Sequence, residues 1–334
     1  MDNEILVSIS CITYNHKSYI KKALDSFLMQ KTNFKYEILI HDDASTDGTQ
    51  DIIIEYQKKY PHIIKPILQS ENQYSKGIKR ITYIFNDKRA QGKYIALCEG
   101  DDFWTDPTKL QKQVDYMESH NECSMCFHAA KFYNNETKSV TEIRRAYNKS
   151  CIALSYDIIS KGGDFIITNS MLYRKSALDN PPEFFFNSHV GDYAMQLIFA
   201  TKGTVYYINE PMSAYRIAVK GSWTSNNILN DNKNEKRITN IANDIKLLTE
   251  FNNYTNNNFF YAVERAFFLL LSTVLTYGNS IVLKDKRFKE AYNCLKKTSK
   301  FKLILLKYFP NISKFIINIK SKMKKDIYYG KQKK

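Results

Sequence analysis

Short apolar segments alternate with helical segments over the first hundred residues, and this alternation limits the fold more than any other feature of the sequence. Residues 6–12, 36–40 and 63–68 are short, apolar and rich in β-branched side chains, which is typical of buried strands. Residues 19–30 place apolar side chains at helical spacing, and 51–60 form a second helical segment. We therefore predict an α/β fold with a mostly parallel sheet sandwiched by helices.

Clusters of polar and acidic side chains follow three of the predicted strands. Ligands of open α/β sheets bind at the carboxyl ends of the strands, so we expect the three clusters to meet at one edge. Their members are Thr13, Tyr14 and Asn15, then His41, Asp42 and Asp43, and finally Glu99, Asp101 and Asp102 after the apolar segment 93–98.

The third cluster crowds three carboxylates into the four residues 99–102. Like charges a few ångströms apart raise each other's pKa, so a cation is the usual reason for such a cluster at a strand end. Mg²⁺ and Mn²⁺ prefer oxygen ligands, and one or two carboxylates commonly hold the cation together with substrate phosphates. The segment therefore predicts a divalent cation beside a phosphate group, and a solvated acidic turn is the alternative.

The second cluster begins with two carboxylates, Asp42 and Asp43, and continues with Ser, Thr and Asp residues that can cap the next helix. A carboxylate at this position can accept a hydrogen bond from the N3–H of a uracil ring, while the cap residues hold the loop in shape. An ordinary capped turn between a strand and a helix is the alternative.

In their order and spacing the three clusters resemble the inverting family 2 glycosyltransferases, whose nucleotide-sugar-binding domain has the fold called GT-A. The resemblance covers roughly residues 5–223. It implies that Tyr14 packs against the base and that Asp42 and Asp43 contact uridine. The implied nucleotide-sugar contacts are Thr13, Tyr14, Asn15, Asp42, Asp43, Lys76 and Asp101.

The same resemblance implies a metal cofactor, Mn²⁺ or Mg²⁺, at the acidic cluster. Glu99 stands where an aspartate is more usual, so we assign the metal to Asp102 first, to Asp101 second and to Glu99 last. Basic residues between the second and third clusters could reach the diphosphate, with a solvated helix face as the alternative for each. The candidates are Lys76, Lys79 and Arg80.

An inverting transferase also needs a general base that takes the proton from the acceptor hydroxyl as this attacks the anomeric carbon. The resemblance places the base at an acidic residue that opens a helix after the acceptor-binding segment, and Asp192 occupies that position. The helix N-terminus favours the ionised carboxylate. A plain helix N-cap is the alternative role for Asp192.

Residues 215–223 resemble the loop that closes this catalytic domain, in which many relatives have a histidine near the metal or the phosphates. Ala218 falls at that position, so Arg216 or Lys220 could replace the histidine as a phosphate clamp, or water could complete the metal shell. We interpret most of the six histidines as structural, and only His41 and His189 are close to the predicted site.

Positive charge is concentrated near the C-terminal end. The formal net charge of the 334 residues is +15, and residues 300–334 contain eleven lysines and one acidic residue, Asp326. The lysines interleave with apolar side chains in a basic amphipathic segment that can lie in an anionic membrane interface and bring the enzyme to a lipid-linked acceptor. A solvated terminal helix is the alternative, and no recognised RNA or DNA module accompanies the charge.

The cysteines and the first residues predict a cytoplasmic protein, or one peripheral on the inner face of the cell membrane. The six cysteines are irregularly spaced and lie mostly in apolar runs, which indicates reduced thiols rather than zinc. The N-terminus lacks the basic start and long apolar stretch of a signal peptide. Composition shifts at residue 226, so we predict a GT-A domain at 1–224 and a helical region at 225–334. The apolar run in 262–276 is shorter than a membrane span needs, which favours a buried helix.

The function implied by the resemblance is a metal-dependent inverting glycosyltransferase of the hexosyltransferase class. It would move a sugar, most simply from a UDP-sugar, to a glycan or lipid-linked acceptor in bacterial cell-surface polysaccharide or lipopolysaccharide biosynthesis. A nucleotidyltransferase would need a glycine- and arginine-rich phosphate loop, which residues 10–17 lack. A dehydrogenase would need a GxGxxG motif after a strand, and the sequence has no such motif. A non-catalytic glycan-binding protein is the alternative from another class.

Overall fold

The computed structural model describes residues 4–219, 233–277 and 285–308. The chain divides into two compact units, residues 1–229 and 230–334, and each is described by itself. The predicted domain boundary after residue 224 lies outside the described residues, as do Lys220 and the tail from residue 309 onward.

The described part of the first unit contains ten strands in one sheet, with helices between them. The strands are β1 (Ile5–Thr13), β2 (Lys35–Asp42), β3 (Ile64–Leu68), β4 (Tyr94–Leu97), β5 (Phe103–Trp104), β6 (Cys123–Asn134), β7 (Ser139–Arg144), β8 (Cys151–Ala153), β9 (Leu172–Arg174) and β10 (Thr204–Ile217). The α-helices are α1 (Ile20–Leu28), α2 (Thr49–Lys59), α3 (Lys109–Ser119), α4 (Ser155–Lys161), α5 (Glu183–Asn187) and α6 (Gly191–Lys202). The strand order is β3-β2-β1-β4-β9-β6-β10-β5, with β7 on β6 and β8 on β10.

The first half of the sheet is parallel, as the alternating pattern predicts. Strand β1 pairs in parallel with both β2 and β4, and β2 pairs in parallel with β3. Apolar side chains such as Val7, Ile9 and Ile38 are fully buried, because helices cover both faces of a parallel sheet. Residues 13–15, 42–43 and 99–102 therefore follow neighbouring strands at one edge.

The second half of the sheet is mixed rather than parallel. Strand β9 is antiparallel to β4 and β6, and β5 and β8 are antiparallel to β10, while β6 and β10 are parallel. Residues 131–151, whose sequence has no clear periodicity, contain the end of β6, all of β7 and the first residue of β8. The connection between β6 and β7 is residues 135–138, and so short a link permits only an antiparallel pair.

The segment between β3 and β4 has short helical turns in place of a regular α-helix. It has a π-helical turn at Thr82–Asn86 followed by a 3₁₀ turn at Asp87–Arg89. Arg80 adopts a left-handed backbone with φ of 61°, which prevents a regular helix from starting earlier. The fully buried Asn86 amide then anchors the turn by donating to the carbonyl oxygen of Cys11 at 3.0 Å.

The described part of the second unit is helical, as predicted. Its helices are α7 (Lys233–Tyr254), α8 (Phe260–Tyr277), α9 (Lys286–Cys294) and α10 (Lys297–Tyr308). Several side chains of the apolar run in α8, including Phe267, Leu271 and Val274, are buried as expected. Within the described ranges, every helix is either too short or too polar to cross a membrane.

Candidate active site

Asp42 ends β2 and fixes the loop that follows it. Its Oδ1 accepts hydrogen bonds from Ser45 N at 2.9 Å and from Gln50 Nε2 at 2.7 Å, and its Oδ2 accepts one from Ser45 Oγ at 2.5 Å. Ala44 between them has a φ of 64°, a conformation that a non-glycine residue holds only when neighbours fix it. The fully buried Asp42 carboxylate thus shapes the loop through protein donors.

Asp43 joins three segments at the same edge. Its backbone N–H donates to Thr13 O at 3.0 Å, which ties β2 to the end of β1. Its carboxylate accepts from the backbone N–H of Gln73 at 2.7 Å and of Tyr74 at 3.1 Å. The Asp43 carboxylate therefore helps to hold the loop around residues 72–74 against the strand ends.

Asn15 links the first cluster to the second. Its Oδ1 accepts from Thr46 N at 2.9 Å, and its backbone N–H donates to Ser45 Oγ at 2.8 Å. Its neighbour Tyr14 is 47% exposed. The edge thus has a rigid polar frame and an accessible aromatic ring, which can stack on a planar ligand.

Asp102 faces protein rather than solvent. Its Oδ1 accepts from the backbone N–H of Arg216 at 2.7 Å, and its Oδ2 accepts from Asn169 Nδ2 at 2.8 Å. The Arg216 guanidinium in turn donates from Nε to the carbonyl oxygen of Asp101 at 2.6 Å. Burial, with the charges of Asp101 and Glu99, raises the pKa of Asp102 well above its usual range. Asp102 therefore fastens the acidic loop to β10.

Glu99 and Asp101 are the more accessible carboxylates of the acidic loop. Asp101 Oδ2 lies 3.9 Å from His16 Nε2. The Glu99 side chain reaches solvent, but the surrounding protein removes much of the water around its carboxylate. This desolvation, together with the charges of Asp101 and Asp192, raises the pKa of Glu99 to about 8. A bound cation would relieve that repulsion.

Two buried polar atoms flank Gly100 in the middle of the acidic loop. A Cβ atom at Gly100 would lie 2.6 Å from Thr13 Oγ1 and 3.1 Å from His16 Nδ1. Neither atom has a hydrogen-bond partner within the described structure, and buried polar atoms are normally paired in a working site. His16 was missed by the sequence interpretation, although it directly follows the first polar cluster.

Asp192 lies in the first turn of α6, and the fold brings it close to the acidic loop. Its Oδ1 accepts from the backbone N–H of Tyr193 at 2.7 Å and its Oδ2 accepts from Thr168 Oγ1 at 3.3 Å. Burial outweighs these hydrogen bonds and raises the pKa of Asp192. Its charge acts on Glu99, so the two carboxylates share one electrostatic environment. A raised pKa suits a carboxylate that must accept a proton.

Several other candidates from the sequence have contacts elsewhere. Lys76 forms a surface ion pair with Glu71, and both side chains are exposed. The buried His41 ring stacks on Phe85 at 4.4 Å, which indicates a structural role. Burial and nearby Arg80 and Lys79 lower the pKa of His189 to about 4. Ala218 has a φ of 58° and lies near the end of the first described range.

The donor set fits a cation that shares its shell with a phosphate-bearing ligand. Within the described residues, no three His, Cys, Asp or Glu side chains form a complete metal site. Glu99, which is exposed, and Asp101, which is largely buried, flank Gly100, and the unpaired hydroxyl of Thr13 lies against this glycine. Mg²⁺ and Mn²⁺ are commonly held by one or two carboxylates, with phosphate oxygens and water completing the shell.

The family model described as glycosyl transferase family 2 matches residues 8–180, which include all three polar clusters. The chain belongs to glycosyl transferase family 2. An uncharacterized protein of Mycobacterium tuberculosis is 39% identical to this family 2 chain over 223 residues, which are 66% of the chain and 61% of the relative. The chain thus matches less than two thirds of the length of that relative.

Two further relatives of this family 2 chain have names that state a role. A putative teichuronic acid biosynthesis glycosyltransferase, TuaG of Bacillus subtilis, is 34% identical over 36% of the chain and 45% of its own length. WfaP of Escherichia coli, named as a UDP-Glc:α-D-GlcNAc-diphosphoundecaprenol β-1,3-glucosyltransferase, is 39% identical over 34% of the chain and 42% of its own length.

The solved structure of Staphylococcus aureus TarS residues 1–349 with UDP-GlcNAc has the same fold. It covers 90% of this chain and 87% of its own length, with a TM-score of 0.53 and 16% identity. At that identity the likeness concerns the fold alone. The predicted α/β class and GT-A fold are confirmed.

Proposed function

We propose that this chain transfers a sugar, with inversion, from a UDP-sugar to a hydroxyl group of a glycan or a lipid-linked acceptor. The observation that supports the proposal most is the placement of the acidic loop 99–102. It follows β4 at the edge that contains Tyr14 and Asp43, and the charge of Asp192, in the first turn of α6, acts on its Glu99. This placement supports assigning the nucleotide, the diphosphate and the acceptor to neighbouring parts of the molecule.

The uridine half of the donor fits the edge formed by the first two clusters. The accessible ring of Tyr14 stacks on the base. Asp43 and the loop that it holds at Gln73 and Tyr74 provide hydrogen-bonding groups for the edge of the base and for the ribose. The names of WfaP and of the TarS complex both contain a UDP-sugar, which favours uridine over other nucleosides.

We assign the cation to Asp101 and Glu99, with Asp102 holding the loop in place. The order differs from that expected from the sequence, in which Asp102 came first, because both Asp102 oxygens already accept hydrogen bonds from protein groups. Thr13 Oγ1 and His16 Nδ1 face the same loop and complete its polar lining. When bound, Mn²⁺ or Mg²⁺ neutralises charge that develops on the leaving diphosphate.

Asp192 acts as the general base. It takes the proton from the acceptor hydroxyl as this oxygen attacks the anomeric carbon from the face opposite the diphosphate. The new bond joins the acceptor oxygen to the anomeric carbon, and the bond from that carbon to the diphosphate oxygen breaks. A single displacement of this kind inverts the anomeric configuration. The Thr168 hydroxyl and the Tyr193 N–H orient the Asp192 carboxylate.

The biological setting of the proposal is bacterial cell-surface glycan assembly. The name of TuaG, which states teichuronic acid biosynthesis, and that of WfaP, which states a diphosphoundecaprenol-linked sugar, support this setting. Both relatives match about a third of the chain, so the donor sugar and the acceptor of this protein are part of the proposal.

We also propose that helix α10 binds an anionic membrane surface from the cytoplasmic side, where a lipid-linked acceptor would be found. Leu303 is buried and anchors the helix, while Phe301, Ile304 and Tyr308 are exposed. These exposed side chains recur at helical spacing and form an apolar stripe. The same helix has four lysines and no acidic residue, namely Lys297, Lys300, Lys302 and Lys307. Such a helix suits an interface of anionic lipids.

A sedimentation assay tests the membrane proposal. Vesicles that contain phosphatidylglycerol should bind the protein, vesicles of phosphatidylcholine should not, and 0.5 M salt should release it, because about 1 kcal/mol per basic residue is lost on screening. The double substitution Phe301→Ser and Ile304→Ser should weaken binding. Equal binding to both kinds of vesicle, or none to either, would contradict the proposal.

A ligand screen tests the catalytic proposal. The thermal unfolding midpoint should rise with UDP-sugars in the presence of Mn²⁺ and rise less with GDP-sugars, dTDP-sugars or without metal, because a ligand stabilises the state that it binds. UDP should then be released from at least one of the UDP-sugars. A midpoint that is indifferent to both nucleotide and metal would contradict the proposal.

A further inference from the structure

Arg80 stands out in the segment between the nucleotide edge and the acidic loop. Its φ of 61° places a long side chain in the left-handed region, which is uncommon for residues other than glycine, asparagine and aspartate. Such a conformation persists only where surrounding contacts fix it, and it is frequent at functional sites.

The hydrogen bonds of the Arg80 guanidinium go to the segment that leads into α6. Its Nε donates to the carbonyl oxygen of Phe185 at 2.6 Å, and its Nη2 donates to the carbonyl oxygen of Ser188. The guanidinium carbon lies 5.3 Å from the centre of the Phe185 ring. A Cβ atom at Gly191 would lie 3.0 Å from Nη1, so a glycine there leaves room for the guanidinium.

This contact lies next to Asp192. Gly191, against which Nη1 packs, directly precedes it in the first turn of α6, and the charge of Asp192 acts on the Arg80 guanidinium. Arg80 also belongs to the loop whose beginning, at Gln73 and Tyr74, is held by Asp43. The segment 73–80 thus joins the nucleotide edge to the residue that precedes the proposed base.

We propose that Arg80 is a positioning residue for Asp192: it holds the segment 185–191 so that the carboxylate stands at the acidic loop. The inference rests on the proposed function, in which Asp192 is the base. The Nε and Nη2 atoms of Arg80 already donate to carbonyl oxygens. Arg80 therefore affects the rate of transfer, through the position of Asp192. The sequence had made Arg80 a candidate for contact with the diphosphate, a role that would instead affect donor affinity.

Two substitutions separate positioning from packing. Arg80→Gly removes the guanidinium, and glycine adopts positive φ without strain. The substitution therefore adds no strain to the backbone at residue 80. Arg80→Lys keeps the positive charge and most of the stem but cannot donate to two carbonyl oxygens in the same fork. Arg265→Gln is the matched control, because Arg265 is an exposed arginine of α8 in the second unit.

Steady-state kinetics of UDP release in Mn²⁺ give the first measurement. Arg80→Gly should lower kcat about 10- to 100-fold, the range expected when a catalytic group is misplaced by about 1 Å, while the donor KM stays within about twofold. Added guanidinium ions should restore part of the lost kcat, and Arg80→Lys should be intermediate. A raised donor KM with kcat unchanged would identify a phosphate contact and overturn the proposal, as would kinetics equal to those of Arg265→Gln.

Hydrogen exchange gives a second measurement that does not depend on activity. Arg80→Gly should speed amide exchange in residues 185–195 and leave β1, β2 and β4 unchanged, because only the contacts of the guanidinium are lost. Unchanged exchange in 185–195 would overturn the proposal. If the wild-type protein released no UDP from any donor but exchange changed as expected, the proposed function would fail while the Arg80 contact would stand.

Discussion

At the scale of single residues, the acidic loop divides two tasks among three neighbouring carboxylates. Asp102 accepts hydrogen bonds from Arg216 N and Asn169 Nδ2 and therefore holds the loop. Asp101 and Glu99 remain for a ligand, with the pKa of Glu99 raised to about 8. Position in the sequence does not distinguish these roles, because all three side chains follow the same strand.

Amide substitutions in the loop should separate these two tasks. Asp102→Asn would turn an amide donor toward either Arg216 N or Asn169 Nδ2, so we expect a loss of about 1–3 kcal/mol in the free energy of unfolding together with loss of turnover. Asp101→Asn should keep the stability and lose the Mn²⁺-dependent rise in unfolding midpoint. Urea unfolding measures the free energy of unfolding, and thermal melts with Mn²⁺ and UDP-GlcNAc measure the rise in unfolding midpoint. If Asp102→Asn instead kept the stability and lost the Mn²⁺-dependent rise, while Asp101→Asn lost stability, Asp102 would be the main metal ligand.

Asp87, away from the candidate site, predicts a pH dependence of stability. It is buried, accepts from Ser10 Oγ at 3.1 Å and Tyr173 OH at 2.6 Å, and burial raises its pKa to about 7. Between about pH 4 and pH 7 the folded state therefore binds more protons at Asp87 than the unfolded state does, so its contribution to stability falls as the pH rises.

Urea unfolding at pH 5 and pH 7 tests this dependence. Asp87→Asn cannot titrate, so the loss of unfolding free energy between the two pH values should be smaller in the variant than in the wild-type protein. Equal pH dependence of the two proteins would show that Asp87 has an ordinary pKa.

At the scale of elements, a strand or helix can be predicted from the sequence when the burial of its side chains produces a recognisable hydrophobic pattern. Strands β1, β2 and β4 could be predicted because buried apolar runs identify them. Strand β7 could not, since its side chains are largely exposed and no apolar alternation identifies it. The turn at Thr82–Asn86 was missed because tertiary contacts of Asn86 decide its form.

The same limit applies to the site. The residues that follow β1, β2 and β4 could be placed at one edge because parallel strands align their ends. Asn169 and the backbone of Arg216 became part of the site only through the packing of β10 and the turn at Thr168–Ser170 against the loop. Contacts between segments so distant in sequence leave no local signal.

Gly100 gives a prediction for the acidic loop as an element. In Gly100→Ala the new Cβ would lie 2.6 Å from Thr13 Oγ1 and 2.8 Å from Thr13 Cβ, so the loop must shift away from β1. We expect kcat/KM for UDP release to fall about 10- to 100-fold, since small displacements of reacting groups are costly, with the fold retained in circular dichroism spectra. Unchanged kinetics would show that the loop tolerates displacement and does not position the reacting groups.

At the scale of the whole molecule, a family 2 unit is followed by a unit whose described part is helical and whose last described helix, α10, is basic and partly apolar. In the first unit, we propose a nucleotide-sugar site where three strand ends and the start of α6 supply its residues. In the second unit, Phe301, Ile304 and Tyr308 are exposed on α10, the helix for which we propose binding to anionic lipids. Membrane-bound acceptor and soluble donor would then meet on one protein.

The most direct test of the central claim is the rate of UDP release by Asp192→Asn. With the UDP-sugar that the wild-type protein uses best, and with Mn²⁺, the variant should bind the donor with an unchanged thermal shift and release UDP at least about 100-fold more slowly, the usual contribution of a general base. Asp164→Asn is the matched control, because Asp164 is an exposed carboxylate whose charge acts on Asp192. Release by Asp192→Asn at the wild-type rate would contradict the assignment of the base and of the site built around it.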